Sequence, residues 1–189
     1  MKAVMNGNTN IIQLLLKAGA WVNYMNSSAV GALWLAADKG SLDSVRLLIA
    51  NGAYIDNSND DDVTPLMAAA MNGHYQVAKF LVGAKADINR LHKDGDSALM
   101  FALASKHGEI AQLLIDAGAN IHVRNKFGVT ALLIAVAENN EDMVRRLLQL
   151  KADQTVRTDG GLSALDIARA KGNESIITLL GQARPETGR

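Results

Sequence analysis

The sequence predicts an all-α solenoid, a row of stacked helix-turn-helix units. Three observations carry the prediction: a 33-residue internal period, leucine and alanine columns that hold fixed phases along it, and glycines where paired helices must turn and end. The segment LLLKAGA at Leu14–Ala20 returns as LLIANGA at Leu47–Ala53, FLVGAKA at Phe80–Ala86 and LLIDAGA at Leu113–Ala119. Ala20, Ala53, Ala86, Ala119 and Ala152 share one phase, and Leu15, Leu48, Leu81, Leu114, Leu147 and Leu180 share a second. Leu33, Leu66, Leu99, Leu132 and Leu165 form a third column, and Ala36, Ala69, Ala102, Ala135 and Ala168 a fourth.

Each unit has the same physical grammar. Thr64-Pro65, Ser97-Ala98, Thr130-Ala131 and Ser163-Ala164 open a first helix, the hydroxyl capping free N–H groups and Pro or Ala fitting the first helical position. Leu66, Ala69 and Ala70 then keep helical apolar spacing. A turn follows at Gly40, Gly73 and Gly172, with Lys106 and Asn139 at the same phase. A second helix runs through Val77–Val82 and its equivalents and ends at Gly19, Gly52 and Gly118, where a left-handed cap is expected. Lys85 and Lys151 stand at that cap phase. A left-handed lysine costs about 1 kcal/mol, so glycine at either position is expected to stabilise the chain. The alanine columns let helices of adjacent hairpins approach closely, and stacking buries what one hairpin cannot bury alone.

Composition narrows the function. Of the 189 residues, 49% are hydrophobic but only 4% aromatic, so the core is built from Leu, Ile, Val, Ala and Met. Nineteen Lys+Arg balance nineteen Asp+Glu, which argues against nucleic-acid binding. The absence of cysteine excludes disulfides, thiolate metal sites and cysteine nucleophiles. Met1–Asn10 does not read as a signal peptide, and no apolar run is long enough to span a bilayer. An intracellular compartment, cytoplasmic or nuclear, is the expectation.

The segment Thr64–Phe80, TPLMAAAMNGHYQVAKF, followed by ADIN at Ala86–Asn89, closely resembles the ankyrin repeat. The resemblance covers about residues 1–181 and implies one ankyrin-repeat domain over 1–184. Its expected limits are a partial unit 1–25, units 26–58, 59–91, 92–124 and 125–157, and a polar C-terminal capping unit 158–184, followed by a polar tail 185–189. Met1 aligns inside the first helix of its unit. Trp34, Met67, Met100, Leu133 and Asp166 stand where the family usually has His, which implies loss of that residue's bond to the turn.

Nothing in the sequence assembles a catalytic or metal centre. His74 and His107 lie one period apart at the family's usual position after the turn, and no His-x-x-x-His pair places two imidazoles on one helical face. The Asp60–Asp62 cluster lacks the alternating ligands and bidentate Glu of a calcium loop. Gly160-Gly161 is a turn, and no nucleophile elbow is present. The expectation is a non-enzyme without cofactor or metal.

The family resemblance implies that turn tips and first helices line a concave face that holds a protein partner. At the tips these are Asp60, Asp61, Lys93, Asp94, Lys126 and Phe127. On the first helices they are Trp34, Asp38, Met67, Met71, Met100, Ser105, Leu133 and Glu138. Trp34, Met67, Met100 and Leu133 share one phase, which fits either an exposed apolar ladder or packing beneath the turns. The acidic Asp56–Asp62 stretch, set against Arg90, His92, Lys93, Arg124, Lys126 and Arg157, fits either a bipolar binding face or ordinary alternating charge. A protein-binding scaffold is therefore expected, monomeric and without membrane insertion. Weak self-association through the apolar residues of the partial first unit is the exception to that monomer. Two other classes fit the same residues: a regulatory or docking segment of a larger enzyme, channel or ubiquitin-ligase component, and an architectural spacer.

Overall fold

The computed structural model of the chain describes residues 1–182. The expected tail 185–189 lies outside the described residues. Among the described residues the chain forms six helical pairs: α1 (Lys2–Met5) with α2 (Thr9–Lys17), α3 (Ala32–Asp38) with α4 (Leu42–Ala50), α5 (Pro65–Met71) with α6 (Tyr75–Gly83), α7 (Ala98–Ala104) with α8 (Gly108–Asp116), α9 (Ala131–Ala137) with α10 (Glu141–Gln149), and α11 (Ala164–Lys171) with α12 (Glu174–Gln182). From α3 to α11 each first helix packs on the next first helix, and among the second helices α2 packs on α4, α4 on α6, α6 on α8 and α10 on α12. Among the described residues no helix is long and apolar enough to cross a membrane.

The first helices start where their hydroxyl caps place them. Thr64 Oγ1 accepts from Met67 N (3.2 Å), Ser97 Oγ from Met100 N (3.4 Å), Thr130 Oγ1 from Leu133 N (3.4 Å) and Ser163 Oγ from Asp166 N (3.2 Å). Each bond satisfies a helix-end N–H that has no partner within the helix. α1 and α3 are the exceptions: Met1 makes no side-chain cap bond, and Gly31 has no side chain to accept one. Lys85 and Lys151 adopt φ of 70° and 61°, so lysine occupies the left-handed cap at both expected positions.

The columns account for the core. Ala36, Ala69, Ala102, Ala135 and Ala168 are fully buried, which lets successive first helices lie close together. Leu48, Leu81, Leu114, Leu147 and Leu180 are buried as well. Leu15, in the same column, is 47% exposed. Glycine at the inter-helix turn has a second role. The His74 ring stands on Gly40, and the His107 ring on Gly73, so closely that an added Cβ would lie 2.5 Å and 2.6 Å from the two rings. Each imidazole donates from Nε2 to a carbonyl of the preceding unit, His74 to Asp38 O (2.8 Å) and His107 to Met71 O (3.2 Å). The two histidines are thus clamps between units.

Candidate functional site

Residues between the hairpins fold into projecting tips. Asn26, Asn59 and Asn125 open three of them, and each Oδ1 accepts from the N–H groups two and four residues later: Ser28 and Val30, Asp61 and Val63, Phe127 and Val129. This side-chain mimicry of a turn is why asparagine suits the position. His92 Nδ1 and Thr158 Oγ1 accept the corresponding bond in the other two tips. Main-chain bonds then tie each tip to the next: Asp60 N to Ser28 O (3.3 Å), Lys93 N to Asp61 O (3.0 Å), Lys126 N to Asp94 O (2.8 Å) and Asp159 N to Phe127 O (3.0 Å). The tips form one hydrogen-bonded ledge beside the first helices.

Most of the charge on this ledge is matched between neighbours. The Lys93 ammonium donates to Asp61, Lys126 Nζ lies 3.6 Å from Asp94, and Arg124 reaches Asp159 at 3.3 Å. Lys93 holds the Asp61 carboxyl below the ordinary carboxylate value, and Asp61 raises the Lys93 ammonium in return. Arg157 pairs with Asp166 at 3.2 Å. The first three pairs stand in register only because the units stack, since their partners lie roughly one period apart in sequence, whereas Arg157 and Asp166 belong to the same unit. Of the two charge patterns open from sequence, the geometry is that of alternating, paired charge.

The expected site residues divide by depth. Asp60, Asp61, Lys93, Lys126 and Phe127 are exposed, and Asp94 is half-buried between His92 and Lys126. On the first helices, Asp38 accepts from Asn72 Nδ2 (3.1 Å), and Glu138 pairs with Lys106 (3.2 Å). Met71 and Ser105 are half-buried along the same row.

Met67, Met100 and Leu133 do not form an exposed ladder. They are 1%, 1% and 3% exposed and pack beneath the turns, because the third position of each first helix points under the tip. Trp34, at that phase, is half-buried, and its Nε1 donates to Val63 O (2.9 Å) in the following unit. The turn bond expected to be lost is therefore replaced at three of the five positions. Trp34 reaches a tip carbonyl, Met67 Sδ accepts weakly from Thr64 N (3.4 Å), and Asp166 Oδ2 accepts from Ser163 N (2.9 Å). Exposed Leu91 and Leu162 also belong to the tip region and were not singled out from sequence. Leu91 shares its phase with Met25, Ser58, Arg124 and Arg157, so periodicity does not mark it, whereas Leu162 continues the column Val30, Val63 and Val129, which only Asp96 interrupts.

Among the described residues no group of three or more His, Asp or Glu is placed to hold a metal ion. Comparison with curated protein sequences returns no match. The family model for ankyrin repeats matches three times, over residues 1–59, 33–125 and 99–187. Ankyrin repeats are generally protein–protein interaction modules. The stacked hairpins, the tied tips and these matches along the whole array make the chain a member of the ankyrin-repeat family.

Proposed function

We propose that this chain is a non-enzymatic scaffold that holds a protein partner against its tips and the exposed ends of its first helices. The observation that supports this most is the tied ledge. Tips joined by main-chain bonds and closed by side-chain turns lose little freedom on binding, so contacts made there convert efficiently into affinity. The ledge presents varied chemistry on that fixed frame, with Asp60, Lys126 and an aromatic Phe127 that is 59% exposed. An exposed aromatic on a preorganised frame suits the anchor of a protein interface. The pairing of Lys93, Lys126, Arg124 and Arg157 with carboxylates favours a polypeptide over a nucleic acid, since phosphate contacts need free cations.

The test is capture from a lysate of the source cells, comparing the native chain with an Asp60→Lys, Met71→Ala, Phe127→Ala, Glu138→Lys variant of unchanged circular dichroism. All four changes lie at accessible or half-buried side chains and spare the buried Met67, Met100 and Leu133. A protein retained by the native chain and lost by the folded variant is the expected result. Equal retention by both would move the binding surface off the ledge.

A further inference from the structure

Neighbouring units within the array are fastened by repeated devices. Asn23 Oδ1 accepts from Tyr54 N (2.9 Å), Asp56 Oδ1 from Asp87 N (3.1 Å) and Asn89 Oδ1 from Asn120 N (2.8 Å), a ladder of bonds that runs from unit to unit. The His74 and His107 rings clamp the inter-helix turns. Leu47, Phe80, Leu113 and Leu179 hold one phase on the second helices and lie half-buried against the core.

All of these devices lapse between the unit of α7 and α8 and the unit of α9 and α10. His122 stands at the ladder phase of Asn23, Asp56 and Asn89, and among the described residues the ladder stops at Asn120. A cleft of about 150 Å³ follows, lined by Ile121, His122, Asp153 and Val156. Asn140 stands at the clamp phase of His74 and His107, but its Oδ1 turns back to accept from Met143 N (3.1 Å) in its own helix. Arg146 interrupts the apolar column between Leu113 and Leu179. Its Nη2 reaches Asp116 at 3.3 Å, and its Nε is buried without a hydrogen-bond partner. A buried N–H left unpaired costs stability, and leucine at this phase carries no such group. α8 and α10 are accordingly the least closely packed of the adjacent second helices.

The tip side of the same junction is intact. Lys126 N donates to Asp94 O (2.8 Å), Asn125 Nδ2 donates to Asp96 Oδ1 (2.7 Å), and Ala102 and Ala135 are fully buried. On the looser side the Lys106–Glu138 and Arg146–Asp116 pairs are solvated, and such pairs contribute little. A junction fastened along one edge and loose along the other has the construction of a hinge. We propose that the array flexes here, the units before Asn125 and those from Asn125 onward moving as two blocks about the bonded tips, so that α8 and α10 part and close. The motion changes the curvature of the ledge, and, given that the ledge is the binding surface, a partner spanning the junction selects one curvature.

Distance measurement on the free chain tests the hinge without any partner. The chain has no cysteine, so spin labels go only where cysteine is introduced. Gln76, Glu109 and Asp142 are exposed, share one phase and lie on α6, α8 and α10. Labels at Gln76→Cys with Glu109→Cys span the fastened junction, and labels at Glu109→Cys with Asp142→Cys span the loose one. Equal phase gives both pairs similar label freedom, so a difference in width between the two distance distributions reports on the helices. The expected result is a distribution at least about twice as broad for the second pair. Arg146→Leu, combined with Asn140→His and His122→Asn, gives the junction the residues found at those phases in other units, and narrows the second distribution to the width of the first. Should that variant lose the native circular dichroism, Arg146→Leu alone is read in its place, with partial narrowing expected. Equal widths in the native chain, or a broad second distribution that the folded variant leaves as broad, would overturn the proposal.

Discussion

The two ends of the array carry the same columns and treat them oppositely. At the C-terminal end Leu180 is 3% exposed, and Ser163 and Asp166 form a capping box at the start of α11. At the N-terminal end Leu15 is open, α1 has only four residues, and Met1 provides no side-chain cap. In this structure α12 packs on α10, which covers Leu180, whereas no other unit covers Leu15. A repeated residue therefore does not carry its own stability contribution; its neighbour confers it.

That contrast is open to attack with one substitution made twice. Leu81→Ala, in the middle of the array, is expected to cost about 3 kcal/mol, and Leu15→Ala under about 1 kcal/mol, because only the first leaves a cavity in a closed core. Urea unfolding of both variants measures the difference. Equal losses would mean that the column residue, and not its neighbour, sets the contribution. A second pair compares glycines of similar backbone geometry. Gly40→Ala forces a Cβ against the His74 ring at a φ of 69°, whereas Gly19→Ala at a φ of 85° meets open space. The first is expected to cost about 2–3 kcal/mol and the second about 1 kcal/mol, read as thermal midpoints.

The capping box sharpens the contrast from the other end. Ser163→Ala is expected to cost about 1 kcal/mol and to loosen α11 and α12 before the central units. The same box gives a pH signature. Hydrogen bonds from Ser163 hold the Asp166 carboxyl below its ordinary value. A depressed carboxylate stabilises the fold above the unfolded-state value, and that stabilisation is lost as pH falls through the folded-state value. Hydrogen exchange in α11 should therefore accelerate below about pH 4 in the native chain, and less so in Asp166→Asn. Smallest of all, Lys85→Gly and Lys151→Gly should each stabilise the chain by about 0.5–1 kcal/mol, since both lysines adopt left-handed backbone. A fall in melting temperature for both would contradict that strain.

Much of the fold was legible because its rules are local and repeated. The 33-residue period located every hairpin from α3 onward, hydroxyl residues marked four helix starts, and the lysines replacing glycine kept the left-handed turn. The site was legible in outline only. Phase placed Met67, Met100 and Leu133 on first helices but did not reveal that this phase points beneath the tip. Asp61 and Lys93 are 32 residues apart in sequence, and their pairing exists only once two tips lie side by side. Leu15 resembles Leu81 in every local respect, and its exposure depends on a surface outside its own unit.

Hydrogen exchange along the native chain tests the dependence on neighbours most directly. Amides of α5 to α8, covered on both sides, should exchange slowest, and those of α2 around Leu14 to Lys17 fastest among the second helices. If α2 amides proved as protected as those of α6, stability would reside in each hairpin alone, and the contrast between the two ends would have no physical basis.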